Sequence, residues 1–515
     1  MKILTVQQIR DIDQRAIKEF GVSSIALMQR AGEGIAEAVA EILVERNLPG
    51  VVGIITGKGN NGGDGFSAAL SLATRGIKSR IFALFSHGEL SKDAGTFYRK
   101  AKSHKSIKIL NVSTVPLLRK HEASVQRCSV LVDAILGTGF HGKPKGVVEE
   151  AIDLINAFRG VVVAIDVPSG LDASTGQAEK AVMADLTLTM GFCKAGFLQG
   201  DAMNYVGALR IIDIGIPPLL GDGARSDFHL LDRSMVGAVL PRRARISHKG
   251  TYGHVLIVGG SLGMTGAAIL CARAALRAGS GLVSVACPAS AQMAVAAGCT
   301  EAMTVALPDS LDVVVLRDVV ASRKFDALVL GPGIGRDPNT QKFVIRTLLE
   351  IDAPMVLDAD ALYSIAANKF DLLKAKSQKL ILTPHLGEFA RLIGKDVEKV
   401  KMSLWGDISI LSVNSGAIVV VKSHVCAISN GKSGVLINIS GNPGMATAGM
   451  GDVLSGIIGS FLGQGLSPLD AAAAGVYIHS SAGDLAAKCC GFYGLIASDV
   501  IETIPQAILE IPLRR

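Results

Sequence analysis

Short apolar runs alternate with longer segments of helical periodicity along almost the whole chain. Val161–Ile165 and Val255–Val258 are continuous apolar runs of the kind that form strands buried on both faces of a sheet. Between such runs, segments such as Gly65–Arg75 and Val147–Phe158 show helical periodicity. This alternation predicts an α/β fold with parallel sheets, because parallel strands need long, usually helical, crossovers.

The predicted strands fall into two series with a turn-rich segment between them. The strands of both series are Val51–Thr56, Ser79–Phe85, Val130–Val132 and Val161–Ile165, then Val255–Val258, Leu282–Ala286, Ala327–Leu330, Pro354–Leu357, Lys379–Leu382 and Ala417–Val421. Residues 216–226, which lie between the two series, are rich in turn formers. The 515 residues suffice for two large domains, which we expect at 1–215 and 230–515 with a linker at 216–229.

Composition excludes several classes of protein and partner. Hydrophobic residues make up 49% of the chain and the mean hydropathy is +0.41, values that exclude intrinsic disorder. The net charge of +7 is modest for this length and indicates no nucleic-acid or membrane partner. The basic run Pro241–Arg245 has no interleaved aromatic residues and is interpreted as a solvated strip. Eight cysteines without a CxxC pair predict reduced thiols and a cytoplasmic location.

A glycine-rich segment, Thr56-Gly-Lys-Gly-Asn-Asn-Gly-Gly-Asp-Gly65, follows the first strand and precedes a helix. It formally satisfies the GxGxxG dinucleotide fingerprint. However, the first acidic residue after the next strand is Glu89, too late in the loop to hold a ribose, so ordinary NAD dehydrogenase chemistry is disfavoured. A tight turn alone would need only one or two glycines. Backbone amides freed by glycine suit an anionic ligand, and the asparagine oxygens suit a cation or a ribose.

Polar residues also end two later strands of the first half. Asp133 is placed just beyond one strand, and Asp166 and Ser169 follow the next. A single aspartate at such a position is usually a helix cap. Because the carboxyl ends of parallel strands share one edge of a sheet, three polar turns in series predict one ligand-binding crevice there.

These three motifs, preceded by Leu27–Gly32, resemble the NAD(P)HX epimerase family over roughly residues 1–215. The resemblance implies a Rossmann-like three-layer domain that acts on hydrated nicotinamide cofactors. It implies a potassium site at Asn61, Asp133 and Ser169. The substrate contacts that it implies are Asn60, Asn61, Gly62, Gly63, Asp64, Gly137, Thr138, Gly139, Phe140, His141, Gly142, Lys143 and Asp166. Gln29 stands where family members usually carry Glu, which concerns only helix packing.

The residues of this half fit that chemistry. The epimerised carbon is a carbinolamine, so loss of hydroxide gives a ring iminium that water can re-enter from either face. Asp166 is predicted to exchange the proton with the oxygen and to stabilise the cation. Lys194 is a second catalytic candidate, for which a phosphate contact or a plain surface position is an equal alternative.

The second half carries its strongest motif at Gly441-Asn-Pro-Gly-Met-Ala-Thr-Ala-Gly-Met-Gly-Asp-Val-Leu-Ser-Gly456. A glycine turn runs into the predicted helix Val453–Phe461, so its backbone N–H groups would form an anion hole. Asp452 at the helix start is either a cap or a base that takes a proton from a substrate hydroxyl. The Gly-x-Gly-Asp turn resembles that of the ribokinase superfamily, which implies the role of base.

Further motifs narrow the resemblance to the ADP-dependent NAD(P)HX dehydratase family, from about residue 230 to 501. They are His248-Lys-Gly-Thr-Tyr-Gly-His254, Val258–Ala268, Gly331-Pro-Gly-Ile-Gly335, Leu357-Asp-Ala-Asp-Ala-Leu362 and Thr383-Pro-His-Leu-Gly-Glu388. The resemblance implies a ribokinase-like domain with nucleotide or substrate contacts at Ala267, Gly333, Gly335, His385, Lys422, Ser423, His424, Val425, Cys426, Gly451 and Asp452. Ser423 replaces a usual Gly and Met264 a usual Tyr.

Together the resemblances imply one function, the repair of hydrated nicotinamide cofactors. The first domain would interconvert R- and S-NAD(P)HX with K⁺, and the second would dehydrate the S form with ADP and Mg²⁺, giving NAD(P)H, AMP and phosphate. Its partners would be the small molecules NADHX, NADPHX and ADP, and a homo-oligomer is expected. The alternative is a ribokinase-like small-molecule kinase with an appended non-catalytic binding domain.

Overall fold

The computed structural model describes residues 2–48, 50–200 and 202–512. The chain divides into two compact units between Ser226 and Asp227. This point lies inside the expected linker 216–229, which contains the short helix Pro218–Gly223 and the start of the strand Phe228–Leu230. The limits 1–215 and 230–515 stay predictions. Within the described residues, no helix is long and apolar enough to cross a membrane.

The first unit is built around a parallel sheet. Its strands are β1 (Ile3–Leu4), β2 (Val52–Thr56), β3 (Ser79–Ala83), β4 (Ile107–Asn111), β5 (Val130–Ala134), β6 (Val161–Ile165), β7 (Leu186–Met190), β8 (Cys193–Lys194) and β9 (Ala208–Ile212). Its helices are α1 (Val6–Phe20), α2 (Ser24–Glu45), α3 (Asn60–Thr74), α4 (Lys92–Lys102), α5 (Val115–Lys120), α6 (Glu122–Val125), α7 (Val147–Asn156), α8 (Met203–Val206) and α9 (Pro218–Gly223). Seven described strands form the order β4-β3-β2-β5-β6-β7-β9, and β1 pairs separately with β8.

Helices cover both faces of this sheet. Ile54 and Val132 face one core with α2 and α3, whereas their neighbours Ile55 and Leu131 face a second core with α7. Burial on both faces explains why the strands are continuous apolar runs. The predicted Rossmann-like three-layer arrangement is therefore confirmed.

The second unit repeats this plan with a larger sheet. Its strands are β10 (Phe228–Leu230), β11 (His254–Val258), β12 (Leu282–Pro288), β13 (Met303–Leu307), β14 (Ala327–Leu330), β15 (Met355–Leu357), β16 (Leu380–Leu382), β17 (Ile418–Val421), β18 (Cys426–Ser429) and β19 (Val435–Asn438). Its helices are α10 (Arg233–Val239), α11 (Thr265–Arg277), α12 (Ala289–Gly298), α13 (Val313–Ser322), α14 (Pro338–Glu350), α15 (Asp360–Ala367), α16 (Leu386–Ile393), α17 (Val397–Ser415), α18 (Met450–Gly463), α19 (Pro468–Gly494) and α20 (Ala497–Leu509).

The described strands of the second unit run in the order β10-β19-β18-β17-β16-β15-β14-β11-β12-β13. All neighbours are parallel except β17 with β18 and β18 with β19. Val255 and Ile257 face a core with α11, α18 and α19, and Leu256 and Val258 face a core with α14 and α15. The predicted α/β fold is confirmed for this unit as well.

Two predicted helix starts were wrong by a few residues. Helix α3 begins at Asn60 rather than Gly65, so the NNGGD segment is its first turns. Glycine is a poor helix former, but a Cβ on Gly62 would clash with the carbonyl oxygen of Gly57, so tertiary packing demands glycine there. Likewise, α18 begins at Met450 rather than Val453.

Candidate active sites

The first candidate site lies at the carboxyl ends of β2, β5 and β6. In the sheet register Thr56 pairs with Ala134, and Asp133 pairs with Ala164. From β2 the chain continues to β3 and β4 on one side of the sheet, and it then returns to β5 on the other side of β2. Open α/β sheets bind ligands at such a switch point in strand order. Asp133 lies in β5 itself, not just beyond it as predicted.

Asn61, Asp133 and Ser169 are brought together in one buried network. The Ser169 hydroxyl donates to Oδ1 of Asp133 over 2.6 Å, and the Ser169 N–H donates to Oδ2 over 2.7 Å. The side-chain amide of Asn61 donates to the carbonyl oxygen of Leu136 over 2.8 Å. The N–H of Leu136 in turn donates to the Ser169 hydroxyl. Burial raises the pKa of Asp133 to about 6, although hydrogen bonds from Ser169 and Ile135 oppose the shift.

This network leaves one acceptor without a donor. Oδ1 of Asn61 is buried and has no hydrogen-bond partner among the described residues. A buried, unpartnered amide oxygen costs stability unless a ligand satisfies it. Together with the oxygens of Asp133 and Ser169, it fits a hard cation that prefers oxygen ligands.

Asp166 and Lys194 form a buried ion pair beside that network. Nζ of Lys194 lies 2.7 Å from Oδ1 of Asp166 and 2.6 Å from the Thr189 hydroxyl oxygen. Oδ2 of Asp166 accepts a 3.2 Å hydrogen bond from the Thr138 N–H. Asp166 has a φ of +64°, a strained conformation that its surroundings must hold, and such strain clusters at functional sites.

Two further carboxyls surround this ion pair. Asp64 from α3 is half-buried, and desolvation, then the charges of Asp166 and Asp13, raise its pKa well above the ordinary range. Burial and the charge of Asp166 raise the pKa of Asp13 to about 6, while Lys194 opposes the shift. Oδ1 of Asp13 is buried and has no hydrogen-bond partner among the described residues. Two carboxyls with raised pKa values therefore lie close to an ion pair, an arrangement suited to proton transfer.

Sequence reasoning missed Asp13. It lies on the amphipathic helix α1, four residues after the buried Ile9 and three before the buried Ala16. That position on the buried side of the helix was the one available signal. The predicted contact loop 137–143 forms the more exposed rim, where His141 contacts Asp172.

The second candidate site lies at the carboxyl ends of β14 to β17. Lys422 follows β17, and its Nζ lies 2.6 Å from Oδ1 of Asp358, which follows β15. Burial alone would lower the pKa of Lys422, but the charge and hydrogen bond of Asp358, with Glu388 and Asp452, raise it. Lys422 is thus held as a cation.

Asp452 is the third residue of α18, behind the glycine turn as predicted. Its pKa is raised to about 7 by burial, then by the charges of Asp358 and Asp360, against the opposing effect of Lys422. A Cβ on Gly451 would lie 3.1 Å from Nζ of Lys422, so the helix N-terminus directly adjoins this cation. The free N–H groups and positive end of α18 suit a phosphoryl group.

His385, a predicted ligand contact, has a structural role in the helix that it precedes. Its Nδ1 accepts hydrogen bonds from the N–H groups of Gly387 and Glu388, so it caps α16. Its backbone nevertheless bridges to Lys422, which places it at the rim of the site. Its side chain is exposed, with Nε2 3.4 Å from Glu388, so it is accessible to a ligand.

The other predicted contacts are distributed around this site. Gly333 and Gly335 have φ values of +60° and +102°, and the N–H of Gly335 donates to Asp360. A Cβ on Gly333 would lie 3.0 Å from the side chain of Ala267, so these two segments adjoin. In the connection that follows Lys422, His424 is exposed and Val425 is buried, whereas Ser423 and Cys426 are half-buried.

Sequence reasoning also missed His479 on α19. Its Nε2 is buried and has no hydrogen-bond partner in the part of the chain that the structure describes. Burial, then Lys422, lower its pKa to about 4, against a hydrogen bond with the Met450 backbone. It is therefore a neutral imidazole beside the first residue of α18.

Two family models match separate parts of the chain. The model described as the YjeF-related protein N-terminus matches residues 24–196. The model described as NAD(P)H-hydrate dehydratase matches residues 255–506. The first match contains the first candidate site except Asp13, and the second match contains the second candidate site.

Solved structures resemble this chain over about half its length. A ribokinase-like superfamily protein from Enterococcus faecalis V583 is 28% identical with a TM-score of 0.51, covering 56% of this chain and 99% of that one. An ADP/ATP-dependent NAD(P)H-hydrate dehydratase from Bacillus subtilis, co-crystallized with ATP and Mg²⁺, is 27% identical with a TM-score of 0.50, covering 55% and 98%. The ribokinase-like prediction is confirmed.

Curated relatives match nearly the whole chain. The bifunctional NAD(P)H-hydrate repair enzyme Nnr of Moorella thermoacetica is 37% identical over 525 residues, covering 99% of this chain and 97% of that protein. Its namesake from Escherichia coli K12 is 32% identical over 505 residues, covering 97% and 92%. With both sites present and both halves matched, this chain belongs to the family of bifunctional NAD(P)H-hydrate repair enzymes.

Proposed function

We propose that this chain repairs hydrated nicotinamide cofactors through two activities. The first unit interconverts R- and S-NAD(P)HX, and the second dehydrates S-NAD(P)HX with ADP to give NAD(P)H, AMP and phosphate. The observation that carries the proposal is that each matched half holds a half-buried carboxyl with a raised pKa close to an ion-paired lysine. Such groups are typical of acid–base catalysis.

In the epimerase site the residues divide the work. Both oxygens of Asp166 are engaged by Lys194 and the Thr138 N–H, so its fixed charge is placed to stabilise the ring iminium. Burial, then the charges of Asp166 and Asp13, raise the pKa of Asp64, which favours its protonated form, and it can then donate a proton to the departing hydroxyl. Of the two roles predicted for Asp166, its contacts favour stabilisation of the cation.

The proposed K⁺ site consists of Asn61, Asp133 and Ser169. The unpartnered Asn61 oxygen and the buried Asp133 carboxyl support this assignment. A cation there would supply fixed positive charge next to the loop that carries Asp166. The residues themselves order that loop, since Ser169 joins β5 to the turn after β6.

In the dehydratase site, Asp452 takes the proton of the 6-hydroxyl of S-NAD(P)HX. The oxygen of that hydroxyl attacks the β-phosphorus of ADP. The bond from that phosphorus to AMP breaks, and the N-terminus of α18 binds the transferred group. Phosphate then leaves carbon 6 with its bonding electrons, and loss of the carbon 5 proton restores the reduced ring. Mg²⁺, when bound with the nucleotide, would neutralise phosphate charge. Lys422 contributes positive charge beside the N-terminus of α18, where the transferred phosphoryl group would bind.

One assay separates this proposal from the kinase alternative. Purified full-length protein is incubated with S-NADHX, ADP and MgCl₂ while absorbance at the reduced-nicotinamide band is followed. Recovery of NADH with stoichiometric AMP and phosphate is expected. A stable phosphorylated product without NADH would instead identify a small-molecule kinase. Omitting ADP is the control for spontaneous dehydration.

The remaining parts of the proposal concern context. The eight cysteines are free thiols, which supports a reducing, cytoplasmic location. We propose a homo-oligomer that uses both NADHX and NADPHX. Sedimentation at several concentrations and parallel assays with the two cofactors test these points.

A further inference from the structure

Asp358 is fully engaged by three different elements of the second unit. It follows β15 and is buried, with 1% of its surface exposed. Its Oδ1 accepts from Nζ of Lys422 over 2.6 Å and from the N–H of Ala359 over 2.9 Å. Its Oδ2 accepts from the Ser455 hydroxyl over 2.6 Å. One carboxylate therefore links the ends of two strands to the first turns of α18.

These contacts fix the geometry around Asp452. Ser455 lies three residues after Asp452, on the adjacent turn of the same helix, so its bond to Asp358 holds that part of α18. The backbone next to Asp358 is also strained, because Ala359 has a φ of +48°. An ion pair at a strand end would by itself require neither the hydrogen bond from Ser455 nor the strained backbone at Ala359.

We propose that Asp358 is a positioning residue of the dehydratase: its two carboxylate oxygens hold Lys422 and the first turns of α18 in register beside Asp452. This inference rests on the proposed function of the second unit. Asp358 itself is buried and saturated with hydrogen bonds, so it acts through its neighbours and not on substrate.

Electrostatics supports this role. After burial, the charge of Asp358 is the largest influence that raises the pKa of Asp452 to about 7, ahead of Asp360, and Lys422 opposes it. A general base whose pKa lies near the working pH is substantially deprotonated and still has a strong driving force to accept a proton. Among the described residues, the other titratable groups that interact with these carboxylates or with Lys422 are Glu388 on α16, Cys271 on α11, Cys426 on β18 and His479 on α19.

The test is the pH profile of Asp358→Asn in the full-length enzyme. With S-NADHX and ADP, we expect the acid limb of kcat to move to lower pH, because one negative neighbour is lost and Lys422 is no longer neutralised. We also expect kcat at the plateau to fall and KM for ADP to rise, each by about 10- to 100-fold. A residue that only supported the fold would lower activity without moving the limb, and that result would overturn the inference.

Two further variants complete the test. Ser455→Ala removes one hydrogen bond but no charge, so its acid limb should stay where the wild type has it. If Asp358→Asn does not fold, Lys422→Met and the double variant Asp358→Asn/Lys422→Met are compared, since replacing both members of a buried pair is better tolerated. The double variant should have the lower acid limb, and equal limbs would refute the inference. Absence of NADH formation by the wild type would refute the proposed function instead.

Discussion

Nζ of Lys194 lies 2.7 Å from Oδ1 of Asp166, and the lysine side chain is 1% exposed. This pair joins two elements that are distant in sequence, the turn after β6 and the short strand β8. A buried cation without its partner is costly, so each group needs the other. The pair also has two more carboxyls around it, Asp13 and Asp64, which makes it the electrostatic centre of the epimerase site.

Lys194→Met should therefore both destabilise the chain and abolish epimerisation. Removing one partner of a buried pair costs about 3–5 kcal/mol, because the carboxylate of Asp166 would be left without its cation. Chemical denaturation and R-to-S interconversion measure the two effects. Arg210→Met is the matched control, because its ion pair with Glu41 is exposed and should contribute less than about 1 kcal/mol. Equal losses in both variants would contradict this picture.

Asp13→Asn should stabilise the chain at neutral pH. The folded pKa of Asp13 is about 6 against an ordinary 3.8, so folding favours the protonated form and the ionised form costs stability. The gain of the variant should grow as pH rises from about 4 to about 6 and then level off at roughly 3 kcal/mol. Denaturation at pH 4 and pH 8 measures it. Asp11→Asn, on the exposed side of the same helix, should show no such gain.

The same substitution should change epimerase activity. Asp13 contributes to the raised pKa of Asp64, so losing its charge makes Asp64 a stronger acid that ionises at lower pH. We expect the alkaline limb of the epimerase pH profile to shift to lower pH. An unshifted limb would remove Asp64 as the proton donor.

Potassium should stabilise the chain through Asn61. The buried Oδ1 of Asn61 lacks a hydrogen-bond partner, and a bound cation would satisfy it. Thermal unfolding should therefore shift upward with KCl more than with tetramethylammonium chloride, as expected for any ligand of the native state. Asn61→Leu should remove the difference. Asn60→Ala should keep it, because Asn60 contacts Ser91 outside the network.

The architecture and the motif residues of each site could be predicted from the sequence, because both depend on local sequence patterns. Strands buried on both faces are continuous apolar runs, and the polar residues at their carboxyl ends share an edge once the strands are parallel. Asp166 was found in this way, and Asp452 from the glycine turn that leads into α18. Two neighbouring carboxylates were not found: Asp13 belongs to an ordinary amphipathic helix, and the sequence motif that contains Asp358 does not show that its side chain meets Lys422, 64 residues away.

Asp452→Asn should separate the two activities and raise stability at once. Without its proton acceptor, dehydration should fall about 10²- to 10⁴-fold, whereas interconversion of R- and S-NADHX in the same sample should continue at the wild-type rate. The folded pKa of Asp452 is about 7 against 3.8, so its ionised form costs the folded state up to about 4 kcal/mol above pH 7. The asparagine variant should gain this amount progressively between pH 4 and pH 7, which denaturation across that range measures. A variant that lost activity but unfolded no later than the wild type at pH 8 would show that the ionised form of Asp452 does not destabilise the folded state.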